Sequence, residues 1–403
     1  RQRVNIINNK GAVLYWIQYE TAPFAATEGY KMILKNADIF DSEFALRRAD
    51  VRVEDGKIAE IGENLNGGDE HDLSGCVILP GFIDIHIHGC GGADFSDAQP
   101  DTLETMSRTL ASFGVTSFCP ASMTLPYDRI EKAFENAAGY LGKECGAYIH
   151  GINMEGPFLS YAKRGAQNPE YLHEPDIDEL KKLDKICKIR LVSLAPELPG
   201  AIEFAHEASK ICTVSAAHTA ATFEQAELGY KNGITHTTHL LNGMDPIYNR
   251  KPGAAVAALR AENATAELIS DGMHIHPAYL ALLYKILGED RSVAVSDSMC
   301  ASGLGDGEYE LGGTTVYVKG GKALLADGTI AASTTNIFAE FRNIISFGVP
   351  VRHAVKSCTI NPARAIGVDG VTGSIAVGKR ADFTVLSSDL KELECVYIKG
   401  KRI

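Results

Sequence analysis

The chain has 403 residues, 45% hydrophobic and 22% charged, with a formal net charge of −12. That length buries a large core and fits one barrel plus a small second domain. The acidic balance argues against duplex nucleic acid as a partner, since duplex binders present a basic face. With no apolar run near the ~20 residues of a membrane helix, a membrane is not expected either.

Residues 1–31 match no pattern found elsewhere and read as an N-terminal extension, native or introduced. They lack the short apolar core of a signal peptide. Nine cysteines without paired spacing fit reduced thiols and a cytoplasmic setting better than a disulfide framework. Cys90 and Cys300 lie beside motifs treated below and read as small buried hydrophobes rather than ligands.

From Met32 the pattern is of short strands, at 32–34, 49–53, 57–61 and 76–79, separated by turns such as Asp55-Gly56 and Gly67-Gly68. Similar strands recur at 313–318, 322–325, 383–386 and 395–398. Neither set makes a core alone, so both chain ends are expected to build one small β-sandwich, from 32–79 and 366–403. An insertion near 308–326 is expected to join it.

Between 80 and 365 strands alternate with helices. Strands are expected at 82–88, 115–119, 147–155, 189–195, 212–218, 235–240, 266–271 and 292–297. Thr222-Phe-Glu-Gln225 is a capping box that opens a helix to about Lys231, ended by Asn232-Gly233. Eight strand–helix repeats predict a (β/α)8 barrel.

The first strand carries the clearest chemistry. After Pro80-Gly81, Phe82 to His88 alternates with period two, so Asp84, His86 and His88 share a face. Two His at i and i+2 place their rings side by side, close enough for one cation. Barrel active sites lie at the C-terminal strand ends, and the other ends offer matching groups: Glu155, His218, His239, His274 and Asp297. Singly, each has a plain reading as a cap or surface polar group; together they predict a metal site. Imidazole and carboxylate without thiolates suit zinc, iron, manganese or cobalt. Glu155 is placed to bridge two cations, with His86 and His88 on one, His218 and His239 on the other, and Asp297 near the first. His236 faces the opposite side of its strand and reads as a packed or supporting residue.

These motifs resemble the amidohydrolase superfamily. Within it they resemble the N-acetylglucosamine-6-phosphate deacetylases, from Met32 to the end. The resemblance is carried by Pro-Gly-Phe-Ile-Asp at 80–84, Glu-Gly-Pro-Phe at 155–158, Lys-Arg-Gly-Ala-Gln-Asn-Pro at 163–169 and Ala-His-Thr-Ala-Ala-Thr at 217–222. Thr-His-Leu-Leu-Asn-Gly-Met at 238–244, Arg-Lys-Pro-Gly at 250–253, Asp-Gly-Met-His at 271–274 and Ser-Asp-Ser at 296–298 add to it. It implies a metal-dependent hydrolase of an acetylated sugar phosphate, using one or two divalent cations. Glu155, His218 and His239 hold the main metal, His86 and His88 accommodate a second, and Asp297 is the acid/base. Ala166, Asn242, Gly243, Arg250, His274 and Ala331, Ala332 and Ser333 match sugar-phosphate contacts. A homodimer is implied, with Arg250 reaching the neighbouring subunit. Gln167 stands where some members have histidine, and Gly243 where alanine is usual. Competing readings are another amidohydrolase, acting on a cyclic amide or a nucleobase, an N-acetylgalactosamine 6-phosphate deacetylase, or an inactive barrel serving as a scaffold.

Overall fold

The computed structural model describes residues 31–403. The expected extension therefore falls almost wholly outside the described residues.

Both chain ends share one eight-stranded sheet. Its order runs Lys401–Arg402, Leu393–Ile398, Phe383–Ser387, Cys76–Pro80, Lys31–Phe40, Leu46–Glu54 and Lys57–Gly62, with Asp69–Asp72 added on Lys31–Phe40. The two ends meet where Phe383–Ser387 runs antiparallel to Cys76–Pro80, Val385 opposite Ile78. Alternate residues of these strands bury a separate apolar core, including Met32, Leu34, Ile39, Val51, Val53, Phe383, Val385 and Tyr397.

Strands Gly307–Leu311, Thr314–Lys319 and Lys322–Leu324 do not join that sheet. They form their own antiparallel meander, whose last strand has one further bridge, from Leu324 to Ile330. Double-glycine turns at Gly312-Gly313 and Gly320-Gly321, all at positive φ, make the hairpins locally self-sufficient. This corrects the expectation that the insertion joins the terminal strands.

The middle of the chain forms two arcs of parallel strands. One holds Phe82–Ile87, Val115–Pro120 and Tyr148–Ile149; the other runs in sequence order through Ile152–Met154, Ile189–Leu194, Thr213–Ala216, Ile234–Thr237, Thr265–Leu268 and Ser292–Ala294. Hydrogen bonds cross both gaps: Ser122 N donates to Asn153 O at 3.0 Å, and Asp297 N donates to His86 O at 2.9 Å. The strand expected at 147–155 is thus two short strands serving different arcs. They part at Gly151, whose φ of 135° and close approach to Lys188 O leave no room for a Cβ. Helices return the chain between most strands, and the capping box opens Phe223–Lys231 as expected, with both reciprocal hydrogen bonds made. Most strands are shorter than their sequence pattern because the last residues leave the ladder to turn inward; Val115–Pro120 instead runs one residue past its expected end.

Candidate metal centre

Phe82–Ile87 is buried at every position. A parallel strand covered on both faces loses the wet side that alternation would otherwise give it. Its Asp84 accepts from Ser296 Oγ at 2.5 Å and ties the first strand to the end of the last. Burial pushes the Asp84 carboxyl up to about 7.

His86 and His88 emerge from this strand, and Glu155 follows Ile152–Met154 directly. His218, His239 and Asp297 stand two, two and three residues beyond their strands. All three have left-handed backbone, at φ 40°, 27° and 47°, a conformation uncommon outside glycine. The turn brings each side chain back over the strand ends. Glu155 Oε1 lies 3.0 Å from His239 Nε2, 3.2 Å from His218 Nε2 and 3.5 Å from His86 Nε2. Its Oε2 lies 3.3 Å from His88 Nε2. Asp297 Oδ1 is 3.3 Å from His88 Nε2 and 3.6 Å from His86 Nε2.

The far nitrogens decide the tautomers. Nδ1 of His218, His239 and His88 faces the carbonyl oxygens of Lys163, Asn242 and Ala121 at 2.8, 3.2 and 3.3 Å. Nδ1 of His86 is 2.9 Å from Glu267 Oε2. A carbonyl or carboxylate oxygen only accepts, so Nδ1 carries the proton and Nε2 presents a lone pair. Four lone pairs thus converge on two carboxylates, and two of them, on His218 and His239, are 3.1 Å apart. His86 Nε2 is buried without a hydrogen-bond partner. Acceptors facing acceptors are stable only around positive charge. Two trios have all donor atoms within 4.8 Å of one another: His86, His88 and Glu155, and Glu155, His218 and His239. The donor set fits one or two borderline divalent cations.

Without a cation, protons take its place. Burial pulls the imidazoles down, but Asp297 and Glu155 lift His88 to about 10. Glu267, Glu155 and Asp297 hold His86 well above its usual range. Burial likewise opposes Glu155 and Asp297, yet the facing imidazoles, His86 foremost, keep both below the ordinary carboxylate range. The centre therefore holds its carboxylates ionised under either occupant.

A cavity of about 290 Å³ opens over this cluster. Of the residues expected to contact substrate, Ala166, Asn242, Gly243, His274, Ala331 and Ala332 line it. Gly243 suits its place: at φ 61°, a Cβ there would sit 2.8 Å from His218 Nδ1. His274 Nδ1 is 2.8 Å from Asp271 Oδ2; burial lowers its pKa, but Asp271 raises it above the usual value. Ser333 does not line the cavity. It is buried behind it, donating to Ser296 O at 2.5 Å and, through its backbone N–H, to Asp297 O at 2.7 Å. Arg250 is not among the lining residues either, because it sits on an exposed tip beside the Tyr248–Lys251 bridge.

The sequence reading gave no role to two contributors. Gln167 lines the cavity and donates to Glu155 Oε2 at 2.7 Å, while its Oε1 accepts from Thr124 N at 2.7 Å. Glu267 is wholly buried between His86 and His236. A lone acid inside a buried parallel strand was the available signal, since a buried charge requires partners. Cys90 and Cys300 belong to neither trio; their sulfurs face the carbonyls of Met106 and Glu310.

Residues 77–403 match the Amidohydrolase family. N-acetylglucosamine-6-phosphate deacetylase of Bacillus subtilis (strain 168) is 35% identical over 370 residues, 89% of this chain and 93% of the relative. N-acetylgalactosamine-6-phosphate deacetylase of Escherichia coli O157:H7 is 34% identical over 378 residues, 92% of this chain and 98% of the relative. Among solved structures, a variant N-acetyl-D-glucosamine-6-phosphate deacetylase of Mycobacterium smegmatis, in complex with N-acetyl-D-glucosamine-6-phosphate, superposes with a TM-score of 0.86 at 30% identity, covering 93% of this chain and 99% of that one. The Thermotoga maritima N-acetylglucosamine-6-phosphate deacetylase gives 0.84 at 31% identity, covering 92% and 99%. This chain belongs to the Amidohydrolase family, alongside relatives that deacetylate amino-sugar 6-phosphates.

Proposed function

We propose that the chain hydrolyses the acetamide of N-acetyl-D-glucosamine 6-phosphate, giving D-glucosamine 6-phosphate and acetate. The observation that carries this is the set of four imidazole lone pairs turned on Glu155 and Asp297 at the floor of a sugar-sized cavity, in a chain whose relatives carry that activity. We read the two arcs as a closed (β/α)8 barrel over residues 80–365. We read the terminal sheet, from 32–79 and 366–403, as a small β-sandwich domain folded over its own core.

Glu155, His218 and His239 would hold one divalent cation, and His86, His88 and Glu155 a second, with Asp297 beside it; zinc or iron suits these donors best. A cation held there acidifies water and polarises a carbonyl. Asp297 is ionised and can take the proton of the attacking water. As the C–N bond breaks, it returns that proton to the departing amine, otherwise a poor leaving group. His274, oriented by Asp271, donates to the substrate carbonyl oxygen or a sugar hydroxyl. The Asn242 side-chain amide, buried with its nitrogen unpartnered, supplies a further donor to the sugar phosphate. Arg250 offers a planar fork for phosphate; its exposed tip suits a homodimer in which it reaches the neighbouring subunit's cavity. All nine cysteines are free thiols, which supports a cytoplasmic setting. No described helix is long and apolar enough to cross a membrane.

Four measurements test this reading. Cation content after dialysis is expected near two per chain, and near one in the His86→Gln, His88→Asn double variant. A parent that binds none and is fully active would end the metal assignment. Acetate release from N-acetylglucosamine 6-phosphate is expected to exceed that from the galactosamine epimer, and Arg250→Ala should cost roughly 2–3 kcal/mol, about 30- to 150-fold in kcat/KM, for the phosphorylated sugar alone. Equal losses on the unphosphorylated sugar would show that Arg250 does not read phosphate. Asp297→Asn should keep cation and substrate binding but lose at least about a thousandfold in turnover, since each such proton transfer is typically worth about 10²–10⁴. Turnover within about tenfold of the parent would move the acid/base role to another group.

A further inference from the structure

Glu267 lies inside Thr265–Leu268 and is wholly buried. Its Oε2 is 2.9 Å from His86 Nδ1 and accepts the backbone N–H of His239 at 2.9 Å. Its main-chain oxygen accepts the next amide, Leu240 N, also at 2.9 Å. Its Oε1 faces His236 Nε2 at 3.1 Å, and His236 Nδ1 in turn faces Thr265 Oγ1 at 2.5 Å. One residue thus fixes the ring of His86 in the first trio and the left-handed turn that aims His239 into the second. His86 and His239 stand on strands from different arcs. Glu267 bonds directly to both.

We infer that Glu267 is a positioning residue that sets the cation affinity of both trios at once. This rests on reading the trios as cation sites. A carboxylate that accepts from the far nitrogen of a ligating imidazole locks its tautomer and raises its basicity, and losing such a partner typically costs about 10- to 100-fold in affinity. Sharing one oxygen between a ring and a turn makes the two trios respond together. A neutral side chain of similar size would fill the same space. It would not supply the charge that makes the His86 lone pair a better donor.

The test is cation binding by the full chain, followed by zinc titration calorimetry and by the visible spectrum of the cobalt-loaded protein. Glu267→Ala should bind zinc about 10- to 100-fold more weakly in both trios and change the cobalt spectrum. Glu267→Gln can still accept from His86 and His239, so it should keep the spectrum's shape but lose about tenfold in affinity with the charge. A folded Glu267→Ala protein binding zinc within twofold of the parent would overturn the inference. So would weakening confined to one trio. If Glu267→Ala does not fold, Glu267→Gln decides, and parent-like affinity refutes a role for the charge. A parent chain that binds no zinc would refute instead the reading of the trios as cation sites.

Discussion

Everything in the upper half of the molecule answers to one constraint: four imidazole nitrogens point lone pairs at the carboxylates of Glu155 and Asp297, within 3.0 to 3.6 Å, in a buried place. Such a cluster is repulsive until positive charge enters it. What makes it unavoidable is the other side of each ring. Three backbone carbonyls and Glu267 claim the Nδ1 protons, so no ring can turn a donor inward by changing tautomer without losing a buried hydrogen bond of its own. The protein has fixed the sign of the charge it will accept before any ion arrives.

Meeting that constraint strains the chain. His218, His239 and Asp297 each hold a left-handed backbone, a cost on the order of 1–3 kcal/mol per residue outside glycine. Each is clamped where it turns. Ser160 N donates to His218 O, Glu267 accepts from His239 N, and Asp297 both donates to His86 O and accepts from Ser333 N. This explains Ser333, which never reaches the cavity: it holds Asp297 rather than a ligand. The strand ends are the right place for such turns, because the ladder below is rigid while the last residues have left it.

The sequence made the residue types and the alternation of parallel strands with helices legible, since period-two alternation, a capping box and the spacing of His, Glu and Asp are local signals. Alternation assigned Asp84, His86 and His88 to one face, but could not show that both faces of Phe82–Ile87 are buried, which depends on helices far away in sequence. Two strands of the meander were visible, at 313–318 and 322–325, but Gly307–Leu311 was not, and hairpin turns say nothing of which sheet a hairpin joins. Arg250 came with a motif, but whether a loop tip faces its own cavity is not written in nearby residues. Glu267 was passed over because it sits in no motif; its role appears only once His86 and His239 are seen to share one oxygen.

The two trios are also unequal, and the reason lies in Glu155 itself. Its Oε1 faces His218, His239 and His86, none of which offers it an Nε2 proton in the tautomer fixed above. Its Oε2 faces His88 but also receives a side-chain N–H of Gln167 at 2.7 Å, and that amide is held in place by Thr124 N. A hydrogen bond of that length draws electron density from Oε2 and occupies one of its lone pairs. Under the two-cation reading, Oε1 would be the better donor to the His218 and His239 trio, whereas a cation between His86 and His88 that took Oε2 would meet a weakened oxygen and lean on Asp297 to make up its charge. Under the proposed function, the group that would move protons is then tied to the weaker of the two trios, so occupancy there and the freedom of Asp297 to transfer a proton would be set against each other by the same 3.3 Å contact.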